Sequence, residues 1–458
     1  MAEQSTPGWG IEPVPQRLRV LGLLDNTLLW GNLGISLLVL VAGTYLVPGL
    51  SLRDALLAIV VGGLIGNGML GLAGLIGAQA RVPGMVLLRA PLGRRGSYLA
   101  TGLNVAQNLG WATFELIVIA TAASALSQRA FGWSGRWFWA LIFGGVTTAF
   151  ALLGPISFVR RWVRRVAVWA VLASLAYLVW WTLDGADLGA LWSRRGEGGI
   201  GFWQGVDLVV AMPVSWLPLV ADYTRFSRDR RGAFLGSSLG YLVPHVTLYA
   251  LGALLLLSRG LSDAAAVVPA IAAGGFASAV ALLALTVDET DEPFANVYST
   301  AVSLQNVLPH VEQRVLIVVA SALATAGALV LDLGNYLGFL YLLGSFFVPL
   351  FGVLLADWLL AGANYTRSDL FRGPAWRVGG TVAWLVGFGT YQWLQPTGPG
   401  WWTSIVEHAH PGALHAGASV PSFVVAFVLG AGFGLVASRV DSARASARGR
   451  REPLAGPR

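Results

Sequence analysis

An all-α, polytopic membrane protein of twelve transmembrane helices is what this sequence predicts, and three observations lead to it. First, 55% of the 458 residues are hydrophobic and only 12% are charged, with a mean hydropathy of +0.66, a balance that soluble domains do not carry. Second, apolar runs recur along the whole chain at the length a helix needs to cross a bilayer, about 20 residues. Third, the basic residues alternate from loop to loop. The chain contains no lysine, so all 30 are arginine, and arginine concentrates in loops that stay in the cytoplasm.

In order, residues 1–26 are polar, carry Arg17 and Arg19 among prolines, and lack the apolar core of a signal peptide; they read as a cytoplasmic tail. Apolar spans follow at 28–50, 54–80, 97–127, 136–155, 163–183, 205–226, 234–258, 276–306, 313–331, 335–361, 376–394 and 420–438. The even-numbered spans are followed by Arg81, Arg89, Arg94 and Arg95, by Arg160, Arg161, Arg164 and Arg165, by Arg225, Arg228, Arg230 and Arg231, by Arg314, by Arg367, Arg372 and Arg377, and by an arginine-rich tail. With the N-terminal pair, that places 24 of the 30 arginines on one side. Arg53, Arg129, Arg136, Arg194, Arg195 and Arg259 fall on the other, and the loop 395–419 has none. A missed or extra span would scramble this alternation, so both termini are expected in the cytoplasm of a multi-pass protein of the cell's inner (plasma) membrane.

The first ten spans divide into two fives, 27–183 and 205–361, followed by two additional helices (376–438) and a basic cytoplasmic tail (439–458). Five is odd, so the second set enters from the opposite face, which is the geometry of inverted-repeat transporters. The first span of each set is interrupted, by Trp30-Gly31-Asn32-Leu33-Gly34 in one and by Met212-Pro213-Val214-Ser215-Trp216-Leu217-Pro218 in the other. Unwound backbone at such breaks offers carbonyls to a cation and half-helix N-termini to a polar substrate. Ordinary Gly and Pro content of membrane helices is the plainer account.

The eighth span places Asp288, Glu289, Asp291 and Glu292 inside a run that otherwise reads as membrane-crossing, since 276–287 is apolar without a turn signal. A mid-bilayer carboxylate costs about 2.5 to 3.5 kcal/mol on insertion scales, so such groups face a protein interior or a wet cavity. Pro293 would free the carbonyl of Glu289 four residues earlier, and free carbonyls beside carboxylates suit a cation. The alternative is a helix that starts near Pro293, with the acids in a wet outer loop. In the third span Gln107, Asn108, Trp111 and Glu115 recur at three and four residues and share a face. Amides alone would serve as a structural seam between helices. A flat indole with a carboxylate suits a planar heteroaromatic ligand, the ring stacking and the acid accepting N–H groups, and an enclosed Glu115 is also a candidate proton carrier.

Other chemistry is excluded or weak. Zero cysteines rule out disulfides and Cys-based metal or redox sites. No H-E-x-x-H occurs, only His245 lies well inside a span, and without lysine there is no P-loop, so an intramembrane enzyme or an ATP-driven pump does not fit. His408, His410 and His415 form an incidental cluster in an outer loop rather than a metal site. Asp222 and Arg225, three apart, are expected to pair, and Asp357 to sit at a helix end. Nucleic acid is not implied. A passive channel is the rival to a transporter.

Four stretches resemble the nucleobase:cation symporter-1 family, the cytosine, purine and hydantoin permeases: Leu92-Gly-Arg-Arg-Gly-Ser97, Ala221-Asp222-Tyr-Thr-Arg225-Phe226, Asn296-Val-Tyr298-Ser299 and Pro349-Leu-Phe-Gly352-Val-Leu-Leu-Ala-Asp357-Trp358. They lie in the family's order over most of the chain. The resemblance implies a LeuT-like five-plus-five inverted repeat with two extra C-terminal helices. It also implies import of a nucleobase or related heterocycle by Na⁺ or H⁺ symport with no cofactor, hydroxymethylpyrimidine or a hydantoin-like ring being the alternative cargo. By the family's pattern Trp111 and Glu115 clasp the substrate with Asn296, while Asn32, Ser215 and Trp216 complete the pocket; Gln107, on the face of Trp111 and Glu115, is counted with the ring-binding residues. Pro213 falls near where some relatives place their tryptophan. Gly31, Gly34, Glu289, Thr290, Asp291 and Glu292 are the matching cation site, except that sodium-coupled relatives use hydroxyl side chains where this chain has Thr290, Asp291 and Glu292, which leaves the coupling ion open.

Overall fold

The structure is a computed structural model and describes residues 10–153, 168–331, 336–409 and 417–449. The first nine residues of the tail, Arg160, Arg161, Arg164, Arg165, His410, His415 and everything after Gly449 lie outside the described residues. Every regular element within them is helical.

The first predicted span is two helices, α1 (Leu23–Leu33) and α2 (Leu37–Thr44), bent by 57° across Gly34, Ile35 and Ser36. Next come α3 (Leu52–Ala80), α4 (Ser97–Phe131), α5 (Arg136–Leu153) and α6 (Val168–Leu183). The sixth predicted span is α7 (Phe202–Ser215) with α8 (Leu217–Thr224), followed by α9 (Arg230–Arg259). The eighth is α10 (Phe276–Asp288) with α11 (Asp291–Leu304), and α12 (Gln313–Val330), α13 (Tyr336–Leu360), α14 (Val378–Leu394) and α15 (Ser419–Gly449) complete the order. Among the described residues eight helices are long and apolar enough to cross a membrane, or nine with the bent pair α1–α2. The other three predicted spans fall short for visible reasons: α6 is described only from Val168, α14 has 17 residues, and α10–α11 carries its acids at a break.

Four expectations are corrected. The chain enters its first helix at Leu23 rather than 28, because Asp25 accepts the Gly22 N–H at 3.0 Å and caps the start. The segment before it is not merely solvated tail, since Val14 and Leu21 bury against Phe226. The sixth span is not unwound: 202–224 crosses as one unit with the interruption confined to Trp216, whose backbone stays in the right-handed region. In the eighth span Pro293 does not kink a helix. It stands in the first turn of α11, where the missing N–H costs nothing, and the Glu289 carbonyl expected to be free accepts the Glu292 N–H at 3.2 Å.

The helices pack as two groups with a third alongside. In one, α9 crosses α1, α2 and α3, while α7 and α8 lie against α3. In the other, α4 packs on α5, α11 and α12. The third is α13, α14 and α15, with α13 touching α7. Outward faces stay apolar: α12 exposes Val315, Val318, Val319 and Leu323 while burying Leu316, Ala320, Ala324 and Ala328, the three-to-four spacing of a helix with lipid on one side. Arginine-bearing loops meet at one end, where Arg367 pairs with Glu12 at 2.8 Å, Arg230 reaches Asn364 and Arg94 reaches the Gly373 carbonyl.

The crossing of α2 on α9 is close enough to require glycine on both sides. A Cβ at Gly252 would stand 1.9 Å from the Leu40 carbonyl oxygen, and one at Gly43 would stand 2.1 Å from that of Tyr249. Backbone cannot yield as a side chain can, so Gly252→Val is expected to cost about 1–3 kcal/mol or more. Thermal unfolding in detergent checks this against Gly145→Ala, whose added methyl meets nothing within 4 Å and which should melt with the native chain.

Candidate substrate and coupling site

The four acids of the eighth span are enclosed. Together with Glu115 of α4 they are at most 4% exposed, so the wet-loop alternative does not hold. The charged groups that bear on Glu115, Asp288, Asp291 and Glu292 are other acids of this same set. The break that separates α10 from α11 turns them in different directions. Glu289 reaches the break in the first span: its Oε1 accepts the Ser36 hydroxyl at 2.7 Å and its Oε2 the Leu37 backbone N–H at 2.6 Å. Those donors are the N-cap and first residue of α2, whose orphan N–H groups and dipole favour a carboxylate. Asn32, in the last turn of α1, donates its amide to Asp291 Oδ2. Two acids therefore tie both edges of one helix break to both edges of another.

Glu292 turns the other way and shares the wall of one cavity with Glu115. Glu115 is held from behind by Asn296 Nδ2, which lies 2.8 and 3.1 Å from its two oxygens and also donates to the Glu292 carbonyl at 3.2 Å. In front of the pair is an enclosed cavity of about 10 Å³, the space of about one water, walled by Ser36, Leu38, Trp111, Glu115, Met212, Trp216, Tyr241 and Glu292, among others. Trp111 meets Tyr336 and Phe339 edge-on, with centroids 5.8 and 5.3 Å away, and its indole N–H has no partner. Trp216 donates to the Tyr241 hydroxyl at 3.0 Å and meets Trp30 edge-on at 5.7 Å. Tyr336 donates to the Leu38 carbonyl at 3.2 Å. It stands between this cavity and a larger one of about 460 Å³ lined by Tyr45, Leu337 and Tyr341 at the arginine-poor end.

Of the predicted ring-binding residues, Trp111, Glu115 and Trp216 wall the cavity and Asn296 acts through Glu115. Gln107, Ser215 and Asn32 are occupied elsewhere. The Gln107 amide joins Asn104 at 2.8 Å to the Ser215 carbonyl at 3.0 Å, the Ser215 hydroxyl returns to Met212, and Asn32 serves Asp291. The predicted cation residues do not form one shell. Gly31 and Gly34 are packing positions, a Cβ at Gly34 falling 2.6 Å from Pro244 Cγ, and the Thr290 hydroxyl donates to the Val287 carbonyl at 2.7 Å. Asp222 and Arg225 do not pair directly: Asp222 accepts the Gly84 N–H at 3.0 Å, while Arg225 donates to the Asp222 and Gly10 carbonyls. Asp357, near the end of α13, pairs with Arg377 at 2.9 Å. His245 is packed, against Asn67 and Tyr249. Ser36, Tyr241 and Tyr336 were missed. Ser36 had a signal, a serine immediately before an apolar run, which is an N-cap signature; the tyrosines had none.

The model of a family described as permease for cytosine/purines, uracil, thiamine and allantoin matches residues 13–387. A cytosine permease of Escherichia coli K12 is 26% identical over 387 residues, covering 83% of this chain and 88% of its own. A hydantoin permease of Microbacterium maritypicum is 24% identical, covering 77% and 76%. Among solved structures, the nucleobase-cation-symport-1 family transporter Mhp1, closed with bromovinylhydantoin bound, superposes with a TM-score of 0.79 at 20% identity over 94% of this chain and 96% of that one. A Na⁺-coupled sialic acid symporter superposes at 0.58 and 9% identity over 91% and 90%. The fold is therefore that of these transporters.

If Glu289 holds the first break, Glu289→Ala strands the Ser36 hydroxyl and the Leu37 N–H and is expected to cost about 1–3 kcal/mol. Glu289→Gln, which keeps one accepting oxygen, should lose less. Melting temperatures of the two variants in detergent check the order, and an alanine variant as stable as the native chain would release Glu289 from that role.

Proposed function

The chain belongs to the nucleobase:cation symporter-1 family, the permeases for cytosine/purines, uracil, thiamine and allantoin, and from that premise we propose that it is a secondary active transporter. It imports a nucleobase or related small heterocycle by symport with Na⁺ or H⁺, alternating its access between the two faces of the membrane. The observation that carries the reading is the cavity wall itself: a buried indole (Trp111), a second one (Trp216), and a carboxylate (Glu115) fixed by an amide (Asn296). A ring stacks on the indole and gives its N–H groups to Glu115, whose oxygens keep lone pairs beyond those Asn296 uses. The Trp111 N–H offers a donor for a ring carbonyl. Cytosine and purines present both kinds of edge, and so do hydantoin-like rings and the hydroxymethylpyrimidine precursor of thiamine.

Twelve crossings arranged as two inverted sets of five plus two, with both termini cytoplasmic, remain the architecture we propose. Arginine-rich loops gathered at one end support it, and the cavity behind Tyr45 and Tyr341 at the other end is then the outer approach. At about 10 Å³ the inner cavity is smaller than any such ring, so the groups on either side of it separate for loading. The ion favours the state that accepts the ring, so each raises the other's affinity by the same factor.

A thermal-shift panel of cytosine, uracil, adenine, hypoxanthine and hydantoin, with and without Na⁺ at two pH values, is expected to pick out one ring class. Trp111→Ala should weaken that ring's binding by about tenfold to a hundredfold through lost stacking. Glu115→Gln should shift preference among the rings while the protein still folds, and unchanged transport kinetics in that variant would remove Glu115 from the site. In proteoliposomes, uptake above equilibrium under an ion gradient means symport, and equilibration alone means a pore.

A further inference from the structure

We propose that the cavity between α13, α14 and α15 at the arginine-bearing end of the bundle binds a phospholipid whose headgroup carries both a phosphate and a primary ammonium, the chemistry of phosphatidylethanolamine. The site lies apart from the ring cavity and does not depend on the cargo proposed above. Its volume is about 490 Å³, within the roughly 300–1,000 Å³ of small-ligand sites. Trp376, next in the chain to the wall residue Arg377, is half exposed, and tryptophan gathers at the level of lipid headgroups.

The wall is divided as such a molecule is divided. Val353, Leu360, Val378 and Phe433 supply its apolar part, and the last three are 42, 68 and 41% exposed, so the cavity opens on a lipid-facing surface. Among the described residues the polar part carries three charges, Asp357, Asp369 and Arg377, together with Tyr365. Arg377 Nη1 donates to Asp357 Oδ1 at 2.9 Å, and the Tyr365 hydroxyl donates to Asp357 Oδ2 at 2.8 Å. Both oxygens of that acid are thus engaged. The Arg377 backbone N–H, bonded to the Leu92 carbonyl at 2.9 Å, holds the residue in place. A guanidinium has five N–H groups, so Arg377, its side chain 40% exposed, keeps donors for a phosphate. Asp369 receives the Thr366 N–H and hydroxyl on Oδ2, each at 2.8 Å, which leaves the lone pairs of Oδ1 for an ammonium.

Charges of both signs on one wall decide between headgroups. A purely anionic headgroup meets Arg377 but is opposed by Asp369. A choline headgroup has the right pair of charges, but its quaternary nitrogen has no N–H to give a carboxylate. An ethanolamine headgroup satisfies both ends, with phosphate on the guanidinium and three N–H donors for the acid. Its chains then lie along Leu360 and Phe433 on the apolar surface, and the lipid bridges α13 to the two C-terminal helices.

The test uses the full chain, purified in detergent and stripped of lipid. Phosphatidylethanolamine should raise the melting temperature more than phosphatidylcholine or phosphatidylglycerol with the same chains, and native mass spectra should retain it as a one-to-one adduct. Glycerophosphoethanolamine, the headgroup without chains, separates a lipid site from a site for a soluble phosphate and should give no shift at equal concentration. Ala437→Phe adds a ring to the exposed α15 wall of the cavity, leaves all three charged side chains in place, and should abolish the adduct. Asp369→Asn keeps an acceptor for Thr366 and should lower the affinity for phosphatidylethanolamine about tenfold, removing its advantage over phosphatidylcholine. Equal shifts from the three lipids, a full shift from glycerophosphoethanolamine alone, an adduct that survives Ala437→Phe, or an undiminished preference in Asp369→Asn overturns the proposal. No ring is added at any stage, so failure here leaves the nucleobase reading standing, and failure of that reading leaves this one to be judged by itself.

Discussion

An acid enclosed between membrane helices must find donors or a proton, and this protein's architecture follows from how Glu289, Asp291 and Glu115 find donors in neighbouring helices. Water inside a bilayer is scarce, so each carboxyl that cannot be solvated has to recruit protein N–H or O–H groups. Unstrained helices have none to spare in their interiors, because every backbone N–H is already bonded within the helix. Helix ends do. The breaks in the first and eighth spans are therefore a single device: one supplies the free donors of α2's first turn and the Asn32 amide, and the other supplies Glu289 and Asp291 to receive them.

That device also fixes where the cavity lies. α1 and α2 belong to the group built on α9, and α11 belongs to the group built on α4. The acid bridges join the two groups at mid-bundle, and Gln107 adds a third link from α4 to the end of α7. Between these links lies the space walled by Trp111, Glu115, Trp216 and Glu292. Close crossing of α2 on α9 at Gly43 and Gly252 keeps the broken span pressed into its own group.

How much of this was legible depends on the kind of signal. Membrane-length apolar runs and the arginine alternation were visible because bilayer thickness and positive-inside charge act on composition, which needs no fold. The acids of 288–292 stood out for the same reason, a cost too large to be incidental. The direction in which each acid points was not legible. Asp288, Glu289, Asp291 and Glu292 look like one cluster in sequence, but the break at Glu289 and Thr290 rotates them so that Glu289 and Asp291 serve structure and Glu292 faces the cavity. Pro293 was read as a mid-helix kink when it opens a helix, an ambiguity that local sequence does not resolve since proline suits a first turn as well as a break. Gln107 was placed at the ring because it shares a face with Trp111. A face three and four residues wide spans more than one neighbour, and Gln107 falls on the side that meets α7.

The acids divide between the two helix breaks and the cavity wall. A cation shared by two helix breaks works by lending positive charge to carbonyls and hydroxyls that have no hydrogens to give. Here the same breaks are joined by groups that give hydrogens to carboxylates: the Asn32 amide to Asp291, and the Ser36 hydroxyl and Leu37 N–H to Glu289. Glu289 and Asp291 are thereby spent on the breaks, and Glu115 and Glu292 are the acids left on the wall of the cavity.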